Sequence, residues 1–173
     1  MGYRRLIGAG FLMTLAVAAS AHAQDGAAKE SPEITPYAFL GSNAASGIGA
    51  AVRWPLPGPL SVEAETSYRL SGVSPVSVNL SLLFDFPQVA RVTPYVAAGV
   101  GLDQYVTADT SLSGQLVEHA GTALSVNAGG GVRVRSTDTW GYRADARWSN
   151  GLGARAPERW RVYNGVTFGG LGR

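Results

Sequence analysis

Leu60-Ser61-Val62-Glu63-Ala64-Glu65-Thr66-Ser67-Tyr68-Arg69-Leu70 is the stretch on which the reading of the chain turns. Its even positions (Leu60, Val62, Ala64, Thr66, Tyr68, Leu70) are apolar or nearly so. Its odd positions are polar, and Glu63, Glu65 and Arg69 ionise. Successive side chains of a β-strand point to opposite faces, so the segment has one apolar and one charged face. A helix would scatter the same three charges around its circumference. Eleven residues at about 3.3 Å each, tilted by about 45°, also have the reach of a strand that crosses a bilayer.

Seven more segments alternate in the same way around it. They are Ile34 to Gly41, Gly47 to Trp54, Val76 to Phe86, Val92 to Tyr105, Thr122 to Arg135, Trp140 to Trp148 and Trp160 to Phe168. In the first, Pro36 and Phe39 blur the two faces. In the segment from Val76, Val78, Leu80, Leu82 and Phe84 oppose Ser77, Asn79, Ser81 and Asp85. None sustains a 3.6-residue period, so the chain is expected to be all-β. Three connections are short and rich in turn residues: 55–59, 87–91 and 136–139. The other four fall around Ser42-Asn43-Ala44-Ala45, Ser71-Gly72-Val73-Ser74, Val106 to Gly121 and Asn150 to Glu158. Eight strands joined alternately by tight turns and looser loops predict an antiparallel up-and-down transmembrane β-barrel, its longer loops outside the cell.

Composition agrees with an enclosed polar face. Charged residues are 15% of the chain, cysteine is absent and Lys29 is the single lysine. The absence of cysteine removes disulfides, thiolate chemistry and cysteine metal sites. Of the 14 basic residues, Arg4 and Arg5 lie in an expected signal peptide, leaving 12 against 12 acidic ones. A neutral mature chain argues against nucleic acid as a partner. The signal peptide reading covers residues 1–23: basic Arg4-Arg5, an apolar run from Leu6 to Ala19, and Ala21-His22-Ala23 as the cleavage site. Residues 24–33 read as a short periplasmic lead-in, and residues 34–173 as the barrel domain.

Alternation leaves open which face is outside. A soluble, lipocalin-like ligand-binding barrel would turn its apolar face inward. Three features favour the membrane. Aromatic residues sit near segment ends on the apolar face (Trp54, Tyr68, Phe84, Trp140, Trp148, Trp160, Phe168), as interfacial girdles do. The polar face is rich in Gly, Ser and Ala, small enough to pack inside eight strands. Its charges are of both signs, with no lysine to suit a wet exterior.

The stretches Pro94-Tyr95-Val96-Ala97-Ala98-Gly99-Val100-Gly101 and Gly129-Gly130-Gly131-Val132-Arg133, with the arginine-rich seventh segment, carry a family resemblance. Across its mature length the chain resembles the small eight-stranded outer-membrane barrels typified by the transmembrane domain of outer membrane protein A. The resemblance implies an integral, multi-pass location in the outer membrane, with the membrane's lipids as partners. The closing strand, Tyr163-Asn164-Gly165-Val166-Thr167-Phe168, resembles the terminal signal read by the barrel assembly machinery, a second implied partner. That signal usually ends on an aromatic residue, whereas here Gly169 to Arg173 follow.

Three constellations are candidates for function. The first is the inward set Arg53, Glu63, Glu65, Arg69, Asp85, Asp103, Arg133, Arg143, Asp145, Arg147 and Arg161. Glu63 and Glu65, two residues apart, have the form of an acid/base pair. Charge-assisted pairing that plugs the lumen is the simpler account, with a gated polar path as the other, and Arg133 or Arg143 is the expected partner of Glu65. The second is Arg147-Trp148-Ser149-Asn150-Gly151, which resembles the His-x-Ser-Asn motif of outer-membrane lipid A deacylases. Ser149 would be the nucleophile, but Arg147 stands where the histidine belongs, and arginine cannot serve as a base. His119, the one histidine of the mature chain, is expected in a loop beside Glu118. The third is the 106–121 loop itself, a polar surface for an extracellular or envelope partner. No metal-ligand cluster and no cofactor motif appears. A non-enzymatic barrel with a structural or surface-interaction role is therefore the expectation.

Overall fold

A computed structural model describes residues 31–42, 45–70, 76–110, 116–152 and 159–169. The expected signal peptide and most of the lead-in lie outside them. So do residues 43–44, 71–75, 111–115 and 153–158, in the expected outer connections. Eight strands follow in order: β1 Glu33–Gly41, β2 Ala45–Pro55, β3 Leu60–Arg69, β4 Val76–Asp85, β5 Val92–Thr110, β6 Leu116–Arg135, β7 Trp140–Gly151 and β8 Arg159–Phe168. Each pairs antiparallel with the next, and β8 returns to β1 to close a barrel.

The two faces of the sheet are inverted relative to a water-soluble protein. Along β4, Leu80 is 53% exposed and Leu82 50%, while Asn79 is 4% and Ser81 2% exposed. The same holds around the wall: Val96, Val100, Leu102, Leu124 and Val162 point out, and Glu63, Glu65, Asn127, Arg143 and Arg147 point in. A continuous apolar exterior over a charged interior overturns the soluble-barrel alternative, because water would meet the wrong face. Trp54, Phe84, Trp140 and Phe168 ring the end with the tight turns, where Trp140 pairs with Phe168. Tyr68, Trp148 and Trp160 mark the other end, Trp148 opposite Trp160. Eight residues of β7 separate Trp140 from Trp148, which is about 20 Å across the membrane at about 3.3 Å per residue and a tilt of about 40°.

β1 resolves where the alternation was blurred. Ile34, Pro36, Ala38 and Leu40 face out, and Glu33, Thr35, Tyr37 and Phe39 face in and are buried. Inward aromatic rings need room, which glycine supplies across the strand. Phe39 pairs with Gly47 and Tyr37 with Gly49. A Cβ added at either glycine would lie 2.4 Å from the facing ring. The closing seam pairs at Ile34↔Phe168 and again from Tyr37↔Gly165 to Gly41↔Arg161. It passes over Pro36, which has no N–H to donate. Beside that interruption the Thr35 and Thr167 hydroxyls bond each other at 2.9 Å inside the barrel.

The 106–121 loop is a correction. β5 and β6 continue to pair through it, from Gln104↔Thr122 to Thr110↔Leu116. β4 stops at Ser77↔Asp103, and β7 pairs with β6 only from Ser125↔Gly151. Among the described residues this part of the hairpin pairs with no other strand, and His119 lies within β6 opposite Thr107 instead of in a loop. Strand pairing rests on backbone hydrogen bonds, which leave no mark in the side-chain sequence, so these residues read as loop.

Candidate functional site

The lumen is filled by charge in layers. At the tight-turn end, Arg133 grips both oxygens of Glu33 through Nη1 (2.6 and 2.8 Å) and donates from Nη2 to Asp85 at 2.7 Å. Arg53 donates from Nη2 to the same oxygen of Asp85, and its Nε lies 4.0 Å from Glu33. The arrangement arises because β1, β2, β4 and β6 each present one ionisable residue at this level. Glu33, expected at the end of the lead-in, belongs to β1 and to this cluster; its parity with Thr35 and Tyr37 is the signal for it.

The central layer is the most buried. Arg143 clasps Glu63 with both terminal nitrogens, and its Nη2 reaches Asp145 at 3.0 Å. Arg147 donates to Glu63 at 2.6 Å and to Asp145 at 3.3 Å. Two tyrosines complete the layer. Arg143 donates from Nε to the Tyr95 hydroxyl at 2.6 Å and from Nη2 to the Tyr163 hydroxyl at 2.9 Å. Each hydroxyl donates onward to Asp145, Tyr163 at 2.8 Å. The Arg143 guanidinium also lies over the Tyr95 ring, 4.9 Å from its centroid. Tyr95 and Tyr163 share the inward parity of their strands, but nothing local to either marks it as a member of the network.

Glu65 is held one level further out. Arg161 donates to it at 2.6 Å, Asn79 at 3.2 Å, and Arg147 Nη1 lies 3.4 Å away. Its partners are therefore Arg161 and Arg147, and the expected pairing with Arg133 or Arg143 is corrected. Across the barrel the stagger of the strands brings Arg161 to its level, which strand order alone does not reveal. Arg143, Arg147 and Arg161 balance Glu63, Glu65 and Asp145, as buried charges require. Arg69, Asp103 and Arg159 line the open-hairpin end around a cavity of about 20 Å³, with Arg159 3.7 Å from Asp103. At the opposite end a cavity of about 600 Å³ is lined by Glu33, Arg53, Asp85 and Arg133.

Ser149 shares the inward parity of Arg143, Asp145 and Arg147, pairs with Asn127 and Arg159, and lines the small cavity. It faces the lumen and not the lipid. Among the described residues no group of His, Asp and Glu side chains is arranged to hold a metal ion.

No family model and no curated protein matches the sequence. The fold does match solved structures. The N-terminal β-barrel domain of Pseudomonas aeruginosa OprF superposes with a TM-score of 0.67 at 17% identity, over 79% of this chain and 95% of that one. Neisserial surface protein A gives 0.58 at 14% identity, over 80% and 94%. The outer membrane enzyme PagL gives 0.53 at 12%, over 79% and 99%. Identities this low carry the architecture and not the activity. The chain has the fold of the eight-stranded transmembrane β-barrels of the Gram-negative outer membrane.

Proposed function

We propose that this protein is a non-enzymatic integral barrel of the outer membrane, shut by its central ionic layer and presenting the β5–β6 hairpin as a surface-interaction element. The observation that carries the closed lumen is the burial of Glu63, Glu65, Arg143, Asp145 and Arg147, all at most 3% exposed and mutually bonded. Eight strands enclose a space that side chains fill, so a pore requires this layer to rearrange. The tight turns face the periplasm in this reading, and β8 is the strand offered to the assembly machinery. The hairpin supports the surface role because seven residue pairs extend past the last pairs that β4 and β7 make with it, and strand edges with no partner among the described residues invite added strands. The absence of catalysis is supported at Ser149. A nucleophile for a lipid acyl ester must reach the bilayer, and Ser149 points to the other side of the wall beside arginines that cannot act as bases.

The test combines location with conductance. The protein should fractionate with the outer membrane, migrate faster on a gel unheated than boiled, and give no discrete current steps in a planar bilayer. Recovery from the soluble periplasm, or regular conductance steps, would overturn the reading. Loss of a lipid A acyl chain in cells expressing the wild type but not Ser149→Ala would overturn its non-enzymatic part.

A further inference from the structure

Among the described residues, the outer wall carries one amide midway between its aromatic girdles. The outward residues of β8 are Trp160, Val162, Asn164, Val166 and Phe168, and Asn164 is exposed like its neighbours. It lies midway between the two terminal aromatics, about 10 Å from either girdle at about 3.3 Å per residue and a tilt of about 40°. The Tyr142 hydroxyl donates to its Oδ1 at 2.8 Å. Its amide nitrogen has no partner among the described residues, and hydrocarbon offers none, which is unfavourable for two N–H donors. The ester and phosphate acceptors of lipid lie at the level of the girdles, beyond the reach of this side chain. An acceptor at this depth therefore belongs to another protein.

The surroundings of Asn164 permit close approach. Its cross-strand neighbours on both sides are alanines, Ala144 on β7 and Ala38 on β1. On the opposite wall, Leu80, Leu82, Val100 and Leu102 are each at least 50% exposed, and their bulk keeps a neighbour at a distance. Small residues let two backbones come near in a membrane, and a side-chain amide then joins them. An amide is its own complement, since it offers donors and an acceptor, and Oδ1 keeps one lone pair after Tyr142. A second copy, related by a twofold axis through this patch, presents the same amide in reverse. We propose that the β8–β1 wall is the interface of a homodimer within the membrane, each Asn164 nitrogen donating to Oδ1 of the other copy. The interface rests on the outer-membrane reading, under which this wall meets lipid.

The mature chain, refolded in density-matched detergent micelles, is followed by sedimentation equilibrium over a range of protein-to-detergent ratios. A reversible monomer–dimer equilibrium is expected. Asn164→Val should weaken it by about tenfold, the sum of two hydrogen bonds in a membrane. Ala38→Phe should abolish the dimer by holding the walls apart. Ala98→Phe makes the same change on the outward face of β5, four strands away, and should leave the dimer intact. All three side chains point away from the lumen, and heat-modifiable migration of each variant shows that its barrel has formed. In cells, a photo-crosslinking residue in place of Val162 should give an adduct of twice the chain's mass. A folded barrel that stays monomeric, a dimer indifferent to Asn164→Val, equal disruption by Ala98→Phe, or an adduct with a different protein would each overturn the interface and leave the membrane reading standing. A chain that is soluble without detergent would overturn both.

Discussion

The central layer and the turn-end cluster are built from the same side chains and behave as different objects. In the centre, Arg143 and Arg147 share Glu63 and Asp145, two tyrosine hydroxyls fill in, and Arg143 and Arg147 are each 1% exposed. At the turn end, the Arg133 side chain is 15% and Asp85 22% exposed, and four polar atoms of Arg53, Asp85 and Arg133 lack partners. Of the central charged groups only Glu65 Oε2 lacks a hydrogen bond, with Arg147 Nη1 3.4 Å away, whereas the turn end leaves four such atoms. Buried charge alone does not distinguish the two; the count of unused donors does.

The largest expected effect tests that difference directly. Arg143→Ala leaves Glu63 and Asp145 buried without their cation, and should lower the unfolding free energy in urea by about 3–5 kcal/mol. Arg133→Ala, nearer solvent, should cost less than half of that. Equal losses would erase the distinction, and a double-mutant cycle of Arg143 with Glu63 should show strong coupling. Next in size is the opposite face. Val78→Arg puts a charge on the lipid side and should reduce insertion by about 2–4 kcal/mol near the bilayer midplane. Urea titration of the lipid-refolded barrel reads both, and indifference to Val78→Arg would sink the inside-out assignment.

A finer probe lies within the centre. Tyr163→Phe keeps the ring beside Tyr37, whose centroid is 4.5 Å away, and removes only the hydroxyl that links Arg143 to Asp145. The expected loss is about 1–2 kcal/mol, the cost of leaving buried polar partners short of one bond. No loss in the same urea titration would mean that the tyrosines merely fill space. The smallest effect is at the turn after β4, where Ala90 holds a φ of 56°, a left-handed conformation that favours glycine. Ala90→Gly should raise stability by no more than about 1 kcal/mol without touching either cluster. A fall would show that the alanine side chain has contacts that outweigh its backbone strain.

Alternation by itself determines much of this protein. The period of two follows from the geometry of a single strand, so Leu60 to Leu70 announced its own faces, and the inward parity of Arg143, Asp145 and Arg147 was legible in the same way. Residue chemistry at Arg147 was legible too, since no fold makes it a base. What meets what was not legible. Arg143 reaches Glu63 across 80 residues and Arg133 reaches Glu33 across 100, distances set by barrel closure and strand stagger. Phe39 and Tyr37 could turn inward only because Gly47 and Gly49 stand opposite, a fact of register. The continuation of β5 and β6 through residues 104–122 was invisible because it is made by backbone pairing, which the side chains do not spell out. Local pattern encodes which way a side chain points; only the closed sheet decides what it finds there.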